Sequence, residues 1–372
     1  MSNTKATQTA AFGLALLQQE VAAKPGENVL ISPFSVALAL GMTANGARGN
    51  TLTGINTALR LGNDQKSNNK GFAALLELLD RSGIGVTLDV ANAFFARLGL
   101  GFKPEFLETN QKFFNTKVDE LDFDDPATID VINGFVADST NNLIDKLLKD
   151  PISADTIAFL INCVYFKGEW TTKFEKTLTE DLPFVGVGDV PTMLRHDEMI
   201  HDWDDDREFY QFVSLPFGES KAVRMMVFLP NVGKSVEDVL AKLDEKALTQ
   251  HIASTYERDG LLWLPRIDIA YENSLKGSLM TLGMEDAFGG RADFSGMRQI
   301  PPVVFVKDIL HKTVFKVDEE GAEAAAVTSV EFALECARMP FEMRVDRPFL
   351  TFIVDSQTNA ILFAGVIINP TK

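Results

Sequence analysis

Apolar positions along this chain change their period about a third of the way in. Phe12, Leu16 and Gln19 with Leu14, Leu17 and Val21 recur at helical spacing within 1–23, predicting an amphipathic first helix. Pro25-Gly26 ends it, and 28–31 reads as a short buried strand. Ser32-Pro33 then supplies a cap and a proline at the first helical position for a helix over 34–43. That helix is apolar nearly all round, so it is predicted to be central and buried. Helices over 51–59 and 71–79 follow, separated by the polar stretch 63–70, then a strand over 86–96, a helix over 104–114 and a strand over 117–123. Asp124-Asp125-Pro126 opens a helix running to about 148. The nearly continuous apolar run 156–166, interrupted by Asn162, predicts a strand buried on both faces. From 201 onward strands prevail, at 209–215, 222–229, 261–269, 302–317, 347–354 and 360–368, with helices over 236–252 and 274–282. With no internal repeat and no linker-like shift in composition, the pattern predicts one α+β domain over 1–372.

One stretch resists this scheme. From Glu319 to Pro340 the chain reads Glu-Glu-Gly-Ala-Glu-Ala-Ala-Ala-Val-Thr-Ser-Val-Glu-Phe-Ala-Leu-Glu-Cys-Ala-Arg-Met-Pro. Alanine favours helix, but Gly321 interrupts early and Val327, Thr328 and Val330 follow at once. At a period of two, Ala322, Ala324, Ala326, Thr328, Val330 and Phe332 share one face, while Glu323, Ala325, Val327, Ser329 and Glu331 share the other. A connection of this length inside a compact domain is usually functional or disordered. It reads as a loop able to become a strand.

Composition narrows the chemistry. The 372 residues are 46% hydrophobic and 23% charged, ordinary for a globular protein, and the net charge of −17 argues against nucleic acid or anionic membrane as a partner. Cys163 and Cys336 are the two cysteines, so neither a disulfide framework nor a C-x-x-C motif exists, and no Asn-x-Ser/Thr sequon occurs. The apolar run 10–17 is better read as helix than as a signal segment, and no run reaches the ~18 residues of a membrane span. A cytoplasmic protein is the default expectation, or a secreted one if the chain begins at a mature N-terminus. Nucleophile-elbow, zinc-helix and phosphate-loop motifs are missing, and Gly99-Leu100-Gly101 and Gly186-Val187-Gly188 lack the third glycine of a dinucleotide fingerprint. His196 and His201 flank Asp197 and Glu198, but their odd spacing sets them on opposite strand faces; a solvated hairpin is expected there and over the acidic run 202–208. No metal and no cofactor are expected.

Buried polar residues say more. Asn162 in an apolar strand, and Ser32 and Ser35 at the start of an apolar helix, would each cost about 1–3 kcal/mol without partners. His311 is the expected partner of Asn162, unless each residue is capped locally.

These residues together resemble the serpin superfamily, over essentially the whole chain. The resemblance rests on 28–35 (Asn-Val-Leu-Ile-Ser-Pro-Phe-Ser), Gly46-Ala47-Arg48-Gly49-Asn50-Thr51, Asn162, and Phe166-Lys167-Gly168-Glu169-Trp170. It continues through Ala292-Asp293-Phe294-Ser295-Gly296, the run Val317 to Ala326, Arg347-Pro348-Phe349-Leu350 and the terminal 363–370. It implies three β-sheets, about nine helices and an exposed reactive loop over about 319–345. It further implies a suicide-substrate inhibitor and not an enzyme: a protease attacks the loop, forms an acyl-enzyme and is carried off as the cut loop inserts into the main sheet, relieving stored strain.

The resemblance assigns a hinge to Glu319, Glu320, Gly321, Ala322, Glu323, Ala324, Ala325 and Ala326. Insertion would bury Ala322, Ala324, Ala326 and Thr328, and no charge or proline among them would stall the strand. About 16 inserted residues span roughly 50 Å, and each new ladder bond contributes about 1 kcal/mol. Ser32, Ser35, Asn162 and His311 match the shutter beneath the sheet. Trp170 and Arg266 match the breach at its top, where an Arg266–Glu319 ion pair is expected. Family spacing sets the scissile residue sixteen after Glu319, giving Glu335-Cys336, with Phe332, Ala333 and Leu334 as protease-recognition residues. A shift of one would make Leu334 scissile, and Arg338 lies three residues too far for a trypsin-like enzyme. Cys336 stands where the family often has serine. The expected partner is a serine protease held covalently, with a cysteine protease as second class; a monomer is expected, and no heparin-type cofactor, since 66–81 lacks a basic run. The competing function is a non-inhibitory serpin-fold carrier, chaperone or storage protein, which the small, proline-free hinge argues against.

Overall fold

The computed structural model describes residues 2–79, 85–203, 208–298, 304–322 and 340–372. Helix α1 spans Ser2–Ala23 and strand β1 Val29–Ile31. Ser32 caps α2 (Pro33–Gly46), its hydroxyl accepting the Ser35 N–H, and nearly every residue of α2 is buried. Helix α3 (Gly49–Ala58) precedes α4 (Gln65–Leu79), which begins inside the polar stretch expected to separate helices. The reason is that those polar groups are paired within the fold: Asp64 accepts the Ser67 N–H, while buried Asn68 and Asn69 donate to the Gly62 carbonyl and to Asn45.

Strand β2 (Val86–Arg97), helix α5 (Pro104–Phe114) and strand β3 (Thr116–Leu121) follow as predicted. Helix α6 (Ala127–Ser139) stops well before 148. Asn141 and Asn142 turn left-handed there, and Asn133 captures the N–H groups of Leu147 and Leu148 at 2.9 and 2.8 Å. Strand β4 (Ala158–Glu169) is half-buried at alternate positions, not buried on both faces. Next come β5 (Glu180–Phe184), β6 (Gly188–Trp203), β7 (Tyr210–Pro216) and β8 (Val223–Pro230). The helix expected over 236–252 is two, α7 (Val236–Lys242) and α8 (Glu245–Ala253), because Asp244 caps a fresh start on the Ala247 N–H. The strand expected over 261–269 also divides, at Arg266, into β9 (Glu257–Pro265) and β10 (Ile267–Ser274). Helix α9 (Lys276–Leu279) leads to β11 (Leu310–Val317), β12 (Gly321–Ala322), β13 (Phe341–Arg344), β14 (Phe349–Asp355) and β15 (Ala360–Ile367). Strand β11 thus starts eight residues after the expected 302.

Among the described residues, nine strands form one large sheet in the order β1-β15-β14-β8-β7-β6-β9-β13, with β5 on β6. Strands β14 and β15 are buried along their whole length, which is why they read as continuous apolar runs. A second sheet runs β12-β4-β2-β3 and a third unit pairs β10 with β11. Helix α6 covers one face of β2 and β4 with a separate apolar cluster that includes Ile132, Val136, Ile161 and Cys163. The other face meets α2 and the main core.

Strand β12 lies antiparallel to β4, Gly321 opposite Glu169 and Ala322 opposite Gly168. It also turns back on β11, since Asp318 and Gly321 exchange backbone bonds at 3.0 and 3.3 Å. Strands β4 and β11 therefore run parallel to one another, and among the described residues no ladder joins them below this hairpin. The gap between β4 and β11 is bridged at its top by this hairpin and, among the described residues, is open beneath.

Candidate functional site

The lower part of the opening is held by polar side chains at the N-terminus of α2. Ser32 N–H donates to His311 Nε2 at 3.0 Å, and Ser32 Oγ donates to the Leu362 carbonyl at 2.7 Å. Ser35 Oγ donates to Asn162 Oδ1, Asn162 Nδ2 donates to Asn92 Oδ1 at 2.6 Å, and Asn92 Nδ2 donates to the Phe114 carbonyl at 2.7 Å. The chain of bonds thus crosses from β2 and β4, through α2, to β11. All four residues grouped by sequence as a shutter meet here, but the pairing differs from the expected one: His311 serves Ser32, and Asn162 is taken by Ser35 and Asn92. The reason is lateral. His311 and Asn162 sit on strands that are not neighbours in a ladder, and the capping turn of α2 lies between them.

Burial pushes the His311 imidazole down from 6.5 to about 4, and its Nε2 faces a donor, so the ring is neutral and accepts. Sequence reasoning missed Asn92, which lies directly opposite Asn162, and Thr313, whose hydroxyl donates to the Leu30 carbonyl at 2.8 Å. The signal for Asn92 was present: an asparagine inside the apolar stretch Val90 to Phe95 needs a partner.

At the top, Trp170 Nε1 donates to the Asp318 carbonyl at 2.8 Å, its N–H donates to the Glu320 carbonyl at 2.9 Å, and its ring stacks on Phe217 with centroids 4.3 Å apart. Arg266 and Glu319 form a two-pronged pair, Nη2 to Oε1 at 2.7 Å and Nε to Oε1 at 2.9 Å. The Glu319 side chain is 2% exposed and that of Arg266 45%. Burial alone would raise the Glu319 carboxyl, but bonds from Arg266 and Thr179 outweigh it and hold it below the usual range. Glu320, also buried, is held by Lys173 at 2.7 Å and Lys176 at 2.9 Å. These two lysines had no sequence signal, because they lie on the segment after β4, far from 320 in the chain.

Gly321 is where the backbone requires glycine. Its φ is +140°, and a Cβ there would sit 2.0 Å from the Gly168 carbonyl oxygen. Ala322 is buried between the strands. The hinge residues Glu323, Ala324, Ala325 and Ala326, the recognition residues Phe332, Ala333 and Leu334, and the bond Glu335-Cys336 lie outside the described residues.

The histidines expected on a solvated hairpin are elsewhere in character. His201 is buried in β6, stacked on Phe341 with centroids 3.7 Å apart, and burial first and Arg258 second push it down to about 4. His196 pairs with Asp259 at 3.0 Å. The segment is an interior strand of the nine-stranded sheet, which is why its pattern is not that of a solvated turn. Among the described residues no group of three His, Cys, Asp or Glu side chains could hold a metal ion, and no helix is long and apolar enough to cross a membrane.

Comparison with known proteins agrees with this architecture. A family profile described as Serpin (serine protease inhibitor) matches residues 7–370. Iripin-1 of Ixodes ricinus is 34% identical over 367 residues, covering 96% of this chain and 92% of its own. Human Serpin B8 is 34% identical, covering 92% of this chain and 93% of its own. Among solved structures, the thermophilic serpin tengpin in its native state superposes with a TM-score of 0.87 at 29% identity, over 99% of this chain and 95% of its own. Thyroxine-binding globulin in complex with thyroxine superposes with a TM-score of 0.88 at 26% identity, over 99% and 100%. With the fold, the sequence relatives and the profile in agreement over nearly its whole length, the chain belongs to the serpin family.

Proposed function

We propose that this protein is a suicide-substrate inhibitor of serine endopeptidases, acting through a reactive loop over about 319–345 whose cleaved bond is Glu335-Cys336. The observation that carries this reading is the opening between the parallel strands β4 and β11, with Gly321–Ala322 already paired into its top. A strand added there lies antiparallel to both neighbours, the more favourable pairing, and satisfies a row of backbone groups on each.

In the mechanism, the protease acylates on Glu335 and releases Cys336 as the new N-terminus of the C-terminal fragment. The freed hinge then zips downward from Ala322, the residues alternating with it facing the core side. Zipping must displace the bonds that tie α2 to β4 and β11, so Ser35–Asn162 and Ser32–His311 act as a latch that yields once the strand arrives. Glu319 and Glu320, anchored by Arg266, Lys173 and Lys176, hold the hairpin turn in place while the segment below it moves.

Incubation with a panel of serine proteases, followed by denaturing electrophoresis and mass spectrometry, tests this. The expected result is an SDS-stable complex, release of a fragment beginning at Cys336, and a cleaved protein that melts well above the uncut one. Cleavage without a complex and without thermal stabilisation would sink the reading and favour a non-inhibitory carrier. A first cut after Leu334 would move the reactive bond while leaving the mechanism intact.

A further inference from the structure

We propose that His201, Phe341 and Gly260 form a clasp that positions the far stem of the reactive loop, and that protonation of His201 opens it. The loop ends in β13, the last strand of the nine-stranded sheet, four residues long and, among the described residues, paired in parallel with β9 alone. A strand this short has few ladder bonds, and parallel pairing contributes slightly less per residue than antiparallel. Side chains must supply the rest.

Phe341 opens β13, is 5% exposed and lies opposite Gly260 in the register with β9. A Cβ on Gly260 would sit 2.2 Å from the Cδ1 and Cε1 atoms of the Phe341 ring. The absent side chain is what lets that ring lie down on β9. From there it stacks on His201 of β6, centroids 3.7 Å apart and planes 12° from parallel. The contact thus ties β13, across β9, to a strand with which it shares no ladder. On the other face of β13 the Arg344 guanidinium lies 4.1 Å over the Trp263 ring, and Val345 N–H donates to the Trp263 carbonyl at 2.9 Å.

His201 makes the clasp sensitive to acid. Arg258 Nη1, from β9, stands 3.4 Å from His201 Nδ1. A guanidinium has donors only, so this nitrogen is the accepting, unprotonated one. The other polar groups facing the ring are Gln211, from β7, and the exposed Asp202 beside it on β6. A proton on Nδ1 sets an imidazolium against a guanidinium in a buried place. The docked imidazole therefore titrates at about 4 and a free one at 6.5, with burial the first cause and Arg258 the second. The docked value is the lower, so docking is at full strength above about 6.5 and weakens as pH falls toward 4, because the opened form takes the proton first. If opening restores the free value, the ceiling on this weakening between pH 7.5 and pH 5 is about thirtyfold.

Glu335 lies six positions before Phe341 and thirteen after Ala322, so β13 is the shorter tether of the bond proposed above as the cleaved one. A loosened stem lets that bond drift from the pose a protease needs; this consequence rests on the inhibitory reading.

Hydrogen–deuterium exchange of the full, uncut chain at pH 7.5 and pH 5, with rates corrected for the intrinsic effect of pH, tests the clasp. Peptides covering 341–345 report β13, and peptides of the interior strand β14 report global opening. Relative to β14, the β13 amides should exchange about tenfold faster at pH 5 than at pH 7.5 in the wild type, and less than threefold faster in His201→Gln. Gly260→Ala pushes the Phe341 ring away without altering a titrating group, and keeps the test decisive if His201→Gln fails to fold. It should loosen β13 already at pH 7.5. Exchange of β13 that ignores pH in the wild type, an equal acid response in His201→Gln, or a β13 as protected in Gly260→Ala as in the wild type would each overturn the clasp. Protease trapping at pH 7.5 decides the positioning role: Gly260→Ala should trap at least threefold more slowly, and a loosened β13 with unchanged trapping overturns that half. Failure of the wild type to trap any protease removes the inhibitory reading, with the exchange data still deciding the clasp.

Discussion

Lowering the pH should release the latch between α2 and β11, and the effect can be sized from one side chain. His311 is neutral in the fold because burial holds it at about 4 against 6.5 for a free imidazole, and its Nε2 accepts from Ser32 N–H. The folded value lies below the unfolded one, so this contribution to stability is fully present above about 6.5. It is lost progressively as pH falls toward 4, because the unfolded chain binds the proton first. At 1.36 kcal/mol per unit, the full loss across this window is roughly 3 kcal/mol, and between pH 7.5 and pH 5 it is about 2 kcal/mol. The matched variant is His311→Gln, whose side-chain carbonyl can accept the same Ser32 N–H and does not titrate. Urea unfolding of both proteins at pH 7.5 and pH 5 measures the difference directly. Losses from His201, pushed down in the same way, and from Glu319 and Glu320 occur in both proteins and cancel. The wild type should lose about 2 kcal/mol more than the variant over this interval. Equal losses would refute the assignment of His311 as a neutral acceptor.

Gly321→Ala should strain the hinge by about 1–3 kcal/mol, expel Gly321–Ala322 from β4 and raise the moles of inhibitor consumed per protease trapped; an unchanged ratio in a titration would contradict this. Arg266→Met leaves Glu319 buried with Thr179 as its remaining side-chain partner and should cost roughly 1–3 kcal/mol in urea unfolding, less than a fully buried pair because Arg266 is half exposed. Burial pushes the Cys163 thiol up to about 12, so iodoacetamide at pH 8 should alkylate it only after unfolding, as peptide mapping would report. Asn92→Leu should weaken the latch from the β2 side, leaving Asn162 Nδ2 and the Phe114 carbonyl unpaired, and lower the unfolding free energy in urea by about 2 kcal/mol.

Much of this molecule is local in origin. Ser32 and Pro33 specify the start of α2 within one turn, and α5 runs from Pro104 to Phe114 as its pattern predicts, because caps and helical periodicity are decided by neighbours in the chain. Of the small, proline-free run after Gly321, the structure describes Ala322, which does pair with β4, while the rest of the run lies outside the described residues. The places where reading failed are those where a distant segment captured a backbone or side-chain group. Asn133 holds Leu147 and Leu148 and ends α6 early, and the Asn45–Asn69 pair draws a polar stretch into α4. The partner of His311 could not be known from its own strand, because the nearest acceptor or donor is set by which elements stack, and the capping turn of α2 came between it and Asn162. The opening between β4 and β11 is likewise a property of the assembled fold: among the described residues, two parallel strands share no ladder and are bridged by the Gly321 hairpin above. Sequence pattern suggested a segment able to become a strand; the packing of α2 against two separated strands, which no local pattern encodes, decided where among the described residues a gap lies.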